Sequence, residues 1–190
     1  MFDKFREECG LMGVWNHPEA ANLTYLGLYA QQHRGQEGAG VVSYSESQKQ
    51  FNSHKGLGLV ADAFNAYDFS KLPGSYSIGH VRYTTAGHHN LVNTQPFLSE
   101  VSLGHVALAH NGNLVNVDEL KKELIKDGAI FASSSDTEIF LHLLARGPKN
   151  LAPVEVLIES LKRVRGAYSL VLMINNSCLF IHISEPTRPY

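Results

Sequence analysis

The sequence predicts an α+β fold in which two mainly antiparallel sheets are covered by helices. Strand-like runs stand at both ends of the 190-residue chain and amphipathic helical patterns cluster between them, an order unlike the repeated βαβ units of parallel-sheet proteins. Composition agrees. Hydrophobic residues make up 44% and charged residues 18%, less charge than the roughly 25% typical of soluble domains, as expected of a folded chain with well-buried elements. The length suits one domain, or two cramped ones, with enough residues for a single core.

Taken in order, the apolar run Cys9 to Trp15, followed by the turn cluster Asn16-His17-Pro18, predicts a buried strand. Leu23, Leu26, Tyr29 and Ala30 recur at helical spacing, so a helix is expected from Ala21 to Gln32, stopping at His33-Arg34-Gly35. Gly38 to Tyr44 and Gln50 to His54 read as a strand pair around a polar turn, with Lys55-Gly56-Leu57-Gly58 as a connection and Leu59 to Phe64 as a short helix. Tyr76 to Tyr83 has strand composition. From Thr84 to Pro96 neither period is present, and Gly87, His88, His89, Asn90 and Asn93 mark a long functional loop. A strand from Leu103 to Ala109, a turn at His110-Asn111-Gly112-Asn113 and a helix from Val117 to Asp127, ended by Gly128, follow. Ser133-Ser134-Ser135-Asp136-Thr137-Glu138 supplies caps for a helix carrying Ile139, Phe140, Leu143 and Leu144. Pro153 to Arg165 is a further amphipathic helix, and Ala167 to Ile174 pairs with Cys178 to Ile183 as a hairpin around Asn175-Asn176.

Several function classes are excluded. Sixteen Lys+Arg against 18 Asp+Glu leave a formal charge of −2 with the basic residues scattered, so neither nucleic acid nor an anionic membrane surface is an expected partner. The longest clearly apolar run, Leu170 to Ile174, is far short of the roughly 20 residues of a membrane-spanning helix. Residues 1 to 8 carry charges of both signs and no apolar stretch, unlike a secretory signal, and the expected location is cytoplasmic. No glycine-rich phosphate loop is present, and no Cys/His spacing suggests a metal site: His88 and His89 lack a carboxylate or cysteine partner at metal spacing, and Cys178 reads as core.

Chemistry is concentrated elsewhere. Cys9 opens a strand directly after two carboxylates and before Gly10. If the eight preceding residues were removed, it would carry both a thiol and an α-amino group of pKa about 7.7–8.0, so that one residue holds nucleophile and base. Four further segments accompany it: Gln32-His33-Arg34-Gly35-Gln36-Glu37-Gly38-Ala39-Gly40, Gly79-His80-Val81-Arg82-Tyr83-Thr84-Thr85-Ala86-Gly87, His110-Asn111-Gly112-Asn113 and Ser133-Ser134-Ser135-Asp136-Thr137-Glu138. Taken singly, Cys9 could be a buried filler, Asn-Gly a turn, Arg82 a surface cation and Asp136 a helix cap.

Together and in this order they resemble the glutaminase domain of the class II glutamine amidotransferases, whose nucleophile is an N-terminal residue, and within them the amidophosphoribosyltransferases. The resemblance runs from Glu7 to about Leu172, with the Glu-Glu-Cys-Gly junction and the Gln-His-Arg-Gly-Gln segment the most telling. The glucosamine-6-phosphate synthases, the alternative branch, have Tyr-Arg-Gly-Tyr-Asp at the corresponding place. A catalytically silent glutamine-binding fragment is the alternative of another class.

The resemblance implies a four-layer αββα sandwich of the N-terminal nucleophile hydrolase type, with residues 1–8 as a propeptide and 9–190 as the amidotransferase domain, incomplete at its C-terminal end. It implies L-glutamine as substrate and ammonia passed to phosphoribosylpyrophosphate, opening purine synthesis. Cys9 would be the nucleophile, with Asn111 and Gly112 as oxyanion donors. Arg82 would grip the substrate α-carboxylate and Asp136 its α-amino group, the opposite charges selecting a free amino acid. Thr85 matches a further glutamine contact, and Arg34 and Gly35 help hold the catalytic end in place. Cofactors are expected only outside this chain, Mg2+ and a 4Fe–4S cluster among them. The phosphoribosyltransferase domain is likewise absent here, and the full-length form is expected to be a homo-oligomer. An open sheet edge left by missing strands would favour self-association.

Overall fold

The computed structural model of the chain describes residues 9–83, 90–174 and 177–183. Strands β1 (Gly10–Val14), β2 (Gly38–Ser45), β3 (Gln50–Leu57) and β4 (Tyr76–Arg82) form one antiparallel sheet in the order β1-β4-β2-β3. Strands β5 (Phe97–Val101), β6 (Gly104–Leu114), β7 (Gly166–Ile174) and β8 (Ser177–Ile183) form a second, antiparallel and in sequence order. Helices α1 (Ala20–Ala30), α2 (Val60–Ala63) and α3 (Ala66–Ser70) belong with the first sheet, and α4 (Val117–Lys126), α5 (Thr137–Ala145) and α6 (Pro153–Leu161) with the second.

Side-chain alternation along the strands builds the layers. In β7, Leu170, Leu172 and Ile174 face the helices while Val171 and Met173 face the other sheet; in β6, Val106 and Leu108 point outward and Ala107 inward. On the first sheet, Ala39, Val41 and Val81 meet Leu28 of α1, whereas Val42 and Ile78 join the layer between the sheets. Each large apolar side chain fully buried in this way contributes about 1.5–3 kcal/mol. The result is the expected α+β, four-layer αββα arrangement.

Local expectations fared unevenly. The segment His110-Asn111-Gly112-Asn113 is not a turn: β6 continues through it, pairing Asn111 with Ser169 and Gly112 with Tyr168. Asn-Gly favours turns only where the chain must reverse, and here β7 supplies a partner for every residue of the segment. The stretch Lys55-Gly56-Leu57 is the end of β3 rather than a connection, because Lys55 and Gly56 pair with Gly40 and Ala39. Strand β5 was not expected, and α3 was not expected either. The expected loop holds a 3₁₀ turn at Leu91–Asn93, initiated by the Asn90 side chain accepting from the N–H of Val92 at 3.0 Å. Helix α6 stops at Leu161, short of Arg165. The hairpin turn at Asn175-Asn176 lies outside the described residues.

This topology sets the site. Cys9 immediately precedes β1, which pairs with β4 so that Gly10 lies opposite Val81, next to Arg82 at the strand end. The last residues of β6 bring Asn111 and Gly112 to the same end of the sandwich.

Candidate active site

One cavity of about 350 Å³ is lined by Cys9, Arg82, Asn111, Gly112 and Asp136. Five of the eight residues expected from the sequence therefore converge, from four strand or helix ends distant along the chain. Its wall is predominantly polar, Asn93, Gln95, His110, Ser134 and Ser135 also contributing to it.

Cys9 adopts φ +54, a left-handed conformation unusual for a side-chain-bearing residue. Its sulfur accepts from the N–H of Tyr83 at 3.4 Å and lies 3.7 Å from the Tyr83 carbonyl oxygen. Its own carbonyl oxygen accepts from Arg34 Nε at 2.7 Å and from Asn111 Nδ2 at 3.4 Å. Arg34 and Gly35 lie outside the cavity lining and act on its framework. Arg34 ties down the backbone of Cys9. Gly35 passes so close to β4 that a Cβ there would stand 2.6 Å from the carbonyl oxygen of Arg82, and Gln32 folds back to donate from Nε2 to the Gly35 carbonyl.

Gly112 has φ +146, and an added Cβ would meet the backbone of β7, 2.4 Å from Ala167 O and 2.6 Å from Tyr168 Cα. Only glycine fits there. Arg82 carries a buried Nη1 with no hydrogen-bond partner, a desolvated donor on a cavity-lining residue suited to a planar anion. Asp136 occupies the N-cap position of α5 but makes no side-chain cap bond, so the capping explanation for this residue does not hold. Its Oδ1 lies 3.6 Å from His110 Nδ1. Thr85 lies outside the described residues, as do residues 1–8, His88 and His89.

The loop that carries Asp136 is held by carboxylate and amide contacts. Glu138 accepts from the N–H groups of Ala132 and Ser133, both at 2.8 Å, and from the Ser133 hydroxyl at 2.7 Å. Burial would raise the pKa of Glu138, but these donors and nearby His142 outweigh it and hold the carboxyl below its ordinary range. Asn93 bonds Ser134 twice, Nδ2 to Oγ at 2.9 Å and Oδ1 from the N–H at 3.1 Å. Gln95 accepts the N–H of His110 at 2.7 Å. Sequence reasoning does not single out Gln95, Ser134 or His110 as site residues, and it names Asn93 only within the loop 84–96.

Beneath the cavity, His80 is buried between the sheets and neither ring nitrogen has a hydrogen-bond partner. Burial, reinforced by the nearby His110, Arg82 and Lys55 side chains and only partly offset by the polar His110 backbone, pushes its pKa down to about 3. Among the described residues, no group of three or more His, Cys, Asp or Glu could hold a metal ion. No helix among them is long and apolar enough to cross a membrane.

A thiol, a side-chain amide, a backbone N–H, a guanidinium and a carboxylate thus line one cavity, the groups that attack on an amide and capture of a free amino acid call for. Comparisons with known proteins show the family. Residues 80–183 match the family described as "Glutamine amidotransferase domain". The chain is 48% identical over 171 residues to the chloroplastic amidophosphoribosyltransferase of Vigna aconitifolia, covering 90% of this chain and 35% of that protein. It is 46% identical over 175 residues to the amidophosphoribosyltransferase of Staphylococcus aureus, covering 90% of this chain and 34% of that one. The solved structure of the glutamine phosphoribosylpyrophosphate amidotransferase from B. subtilis, complexed with ADP and GMP, superposes with a TM-score of 0.83 at 40% identity, covering 90% of this chain and 36% of that one. The chain thus spans about a third of the length of these relatives.

Proposed function

Because this chain belongs to the glutamine amidotransferase domain family, we propose that the cavity hydrolyses the side-chain amide of L-glutamine with Cys9 as nucleophile. The observation that carries the reading is the convergence of Cys9, Asn111, Gly112, Arg82 and Asp136 on one cavity. Arg82 takes the substrate α-carboxylate, its buried Nη1 gaining the partner it lacks within the protein. Asp136 takes the α-ammonium group. The substrate amide then points toward Cys9.

The Cys9 sulfur attacks the amide carbon, and the π electrons of the C=O bond move to oxygen. Asn111 Nδ2 and the Gly112 N–H stabilise that oxyanion. Collapse breaks the C–N bond, ammonia leaves with a proton that originated on the thiol, and a thioester remains. Water attacks the thioester, releasing glutamate and restoring the thiol. Residues 1–8 are proposed to be a propeptide whose removal frees the α-amino group of Cys9 as the proton carrier. Residues 9–190 are then the amidotransferase domain.

The similarity to amidophosphoribosyltransferases extends the proposal to the whole protein: ammonia passes to phosphoribosylpyrophosphate, giving 5-phosphoribosylamine for purine synthesis. A phosphoribosyltransferase domain, Mg2+ and homo-oligomer formation belong to that extension, and the proposed location is cytoplasmic. The test is glutamate release from L-glutamine. Cys9→Ala should abolish it while leaving the unfolding midpoint unchanged, and retained turnover would overturn the assignment. Phosphoribosylamine formation on adding a separately produced phosphoribosyltransferase domain separates this reading from a glucosamine-6-phosphate synthase relative.

A further inference from the structure

Asp136 lines the cavity at the start of α5 but forms no cap bond there, so its own helix does not fix the direction of its carboxylate. What faces it is His110. The alternation of β6 sends this ring to the helix side of the sheet, where it is buried between Phe140, with centroids 5.3 Å apart, and Tyr168, at 6.0 Å. Its Nδ1 lies 3.2 Å from Thr137 Oγ1 and 3.6 Å from Asp136 Oδ1, and its Nε2 is buried without a partner. Its backbone is pinned by Gln95 at 2.7 Å.

A buried ring nitrogen without a partner is tolerated more easily as a bare acceptor than as an orphaned N–H. That assigns the proton to Nδ1, the atom facing both oxygens. At 3.6 Å the carboxylate contact is long for a hydrogen bond, yet a donor there attracts Asp136 Oδ1 and keeps it from turning back to cap α5.

We propose that His110 is the positioning residue that presents the Asp136 carboxylate to the α-ammonium group of the substrate, and so sets the preference for a free amino acid. The inference rests on the glutamine reading of the cavity. It assigns His110 no contact with the reacting atoms and no proton transfer.

The test compares binding of L-glutamine with its desamino analogue, 4-carbamoylbutanoate, by calorimetry to the full chain carrying Cys9→Ala, so that neither amide is turned over, with His110 intact or replaced. His110→Leu should weaken glutamine binding about tenfold, because the Asp136 carboxylate loses the donor that keeps it turned toward the cavity, and leave the analogue unaffected. His110→Asn, whose side-chain amide can place N–H where Nδ1 stands, should restore most of the difference. Equal weakening of both ligands by His110→Leu, or none, would overturn the inference while leaving the glutamine reading intact. A Cys9→Ala chain with His110 intact that binds the two ligands equally would overturn the glutamine reading, and the inference with it. A second readout needs no variant: nitrogen-15 NMR of the wild-type ring should show the proton on Nδ1, and an Nε2–H tautomer would overturn the inference even if both variants failed to fold.

Discussion

In Gly112→Ala the new methyl carbon would stand 2.4 Å from Ala167 O and 2.6 Å from Tyr168 Cα, both backbone atoms of β7. Relief to an ordinary contact of about 3.5 Å requires β6 and β7 to part by about 1 Å. The backbone at φ +146 adds strain of roughly 1–3 kcal/mol for a residue with a side chain. The N–H that moves is the proposed oxyanion donor. A misplacement of about 1 Å costs on the order of 10²-fold, and loss of one such donor about 10²–10³-fold in kcat. The expected outcome is therefore a fall in kcat of about 10²–10³ with KM little changed. Gly128→Ala is the control: it too has positive φ, +82, but nothing within 4 Å of the added Cβ. It should lose about 1–2 kcal/mol of stability and no activity. Glutamate release, measured with urea unfolding on both variants, decides the matter. A Gly112→Ala protein within threefold of wild-type kcat, or an equal activity loss in Gly128→Ala, would refute the reasoning.

Other perturbations probe the same frame. Arg82→Lys should raise KM for glutamine at least about tenfold, because a point charge cannot reproduce a bidentate fork; an unchanged KM in a steady-state assay would remove Arg82 from carboxylate binding. His80, depressed to about 3 by burial, is neutral when folded, whereas the unfolded chain takes up a proton below about pH 6.5. Its stability contribution is complete above that pH and lost as pH falls toward 3. By pH 4.5 the loss from this group is about 2–3 kcal/mol. Urea unfolding of His80→Leu across this range should show a correspondingly shallower decline, and parallel curves would contradict the assignment. Glu138, held below its ordinary range, contributes stability that is present above its unfolded pKa and lost as pH falls through the lower folded value. Glu138→Gln should flatten that acid limb and, by loosening the Asp136 loop, raise KM more than it lowers kcat.

The layers were legible because a two-residue period is written plainly in β7, where Leu170, Leu172 and Ile174 alternate with Val171 and Met173. The segment at Asn111 was misread for a local reason: its residues favour turns, and only β7, more than fifty positions away in the chain, satisfies them as strand. Strand β5 alternates half-buried and exposed residues after a proline, too weak a signal without its partner β6. The candidate residues with a chemical signature stand out in the sequence, and Cys9, Arg82, Asn111, Gly112 and Asp136 line one cavity. Their supports were not, because a bond such as Asn93 to Ser134 spans 41 positions and follows no periodicity. Asp136 shows the limit from the other side: its sequence position is that of a cap, and only the geometry reveals that it does not cap.

The most direct test of the account is peptide-mapping mass spectrometry of the chain after incubation with an electrophilic glutamine analogue, which reads the true N-terminus and the modified residue together. The account predicts a single adduct on a peptide beginning at Cys9. An intact Met1 peptide with Cys9 unmodified would contradict it.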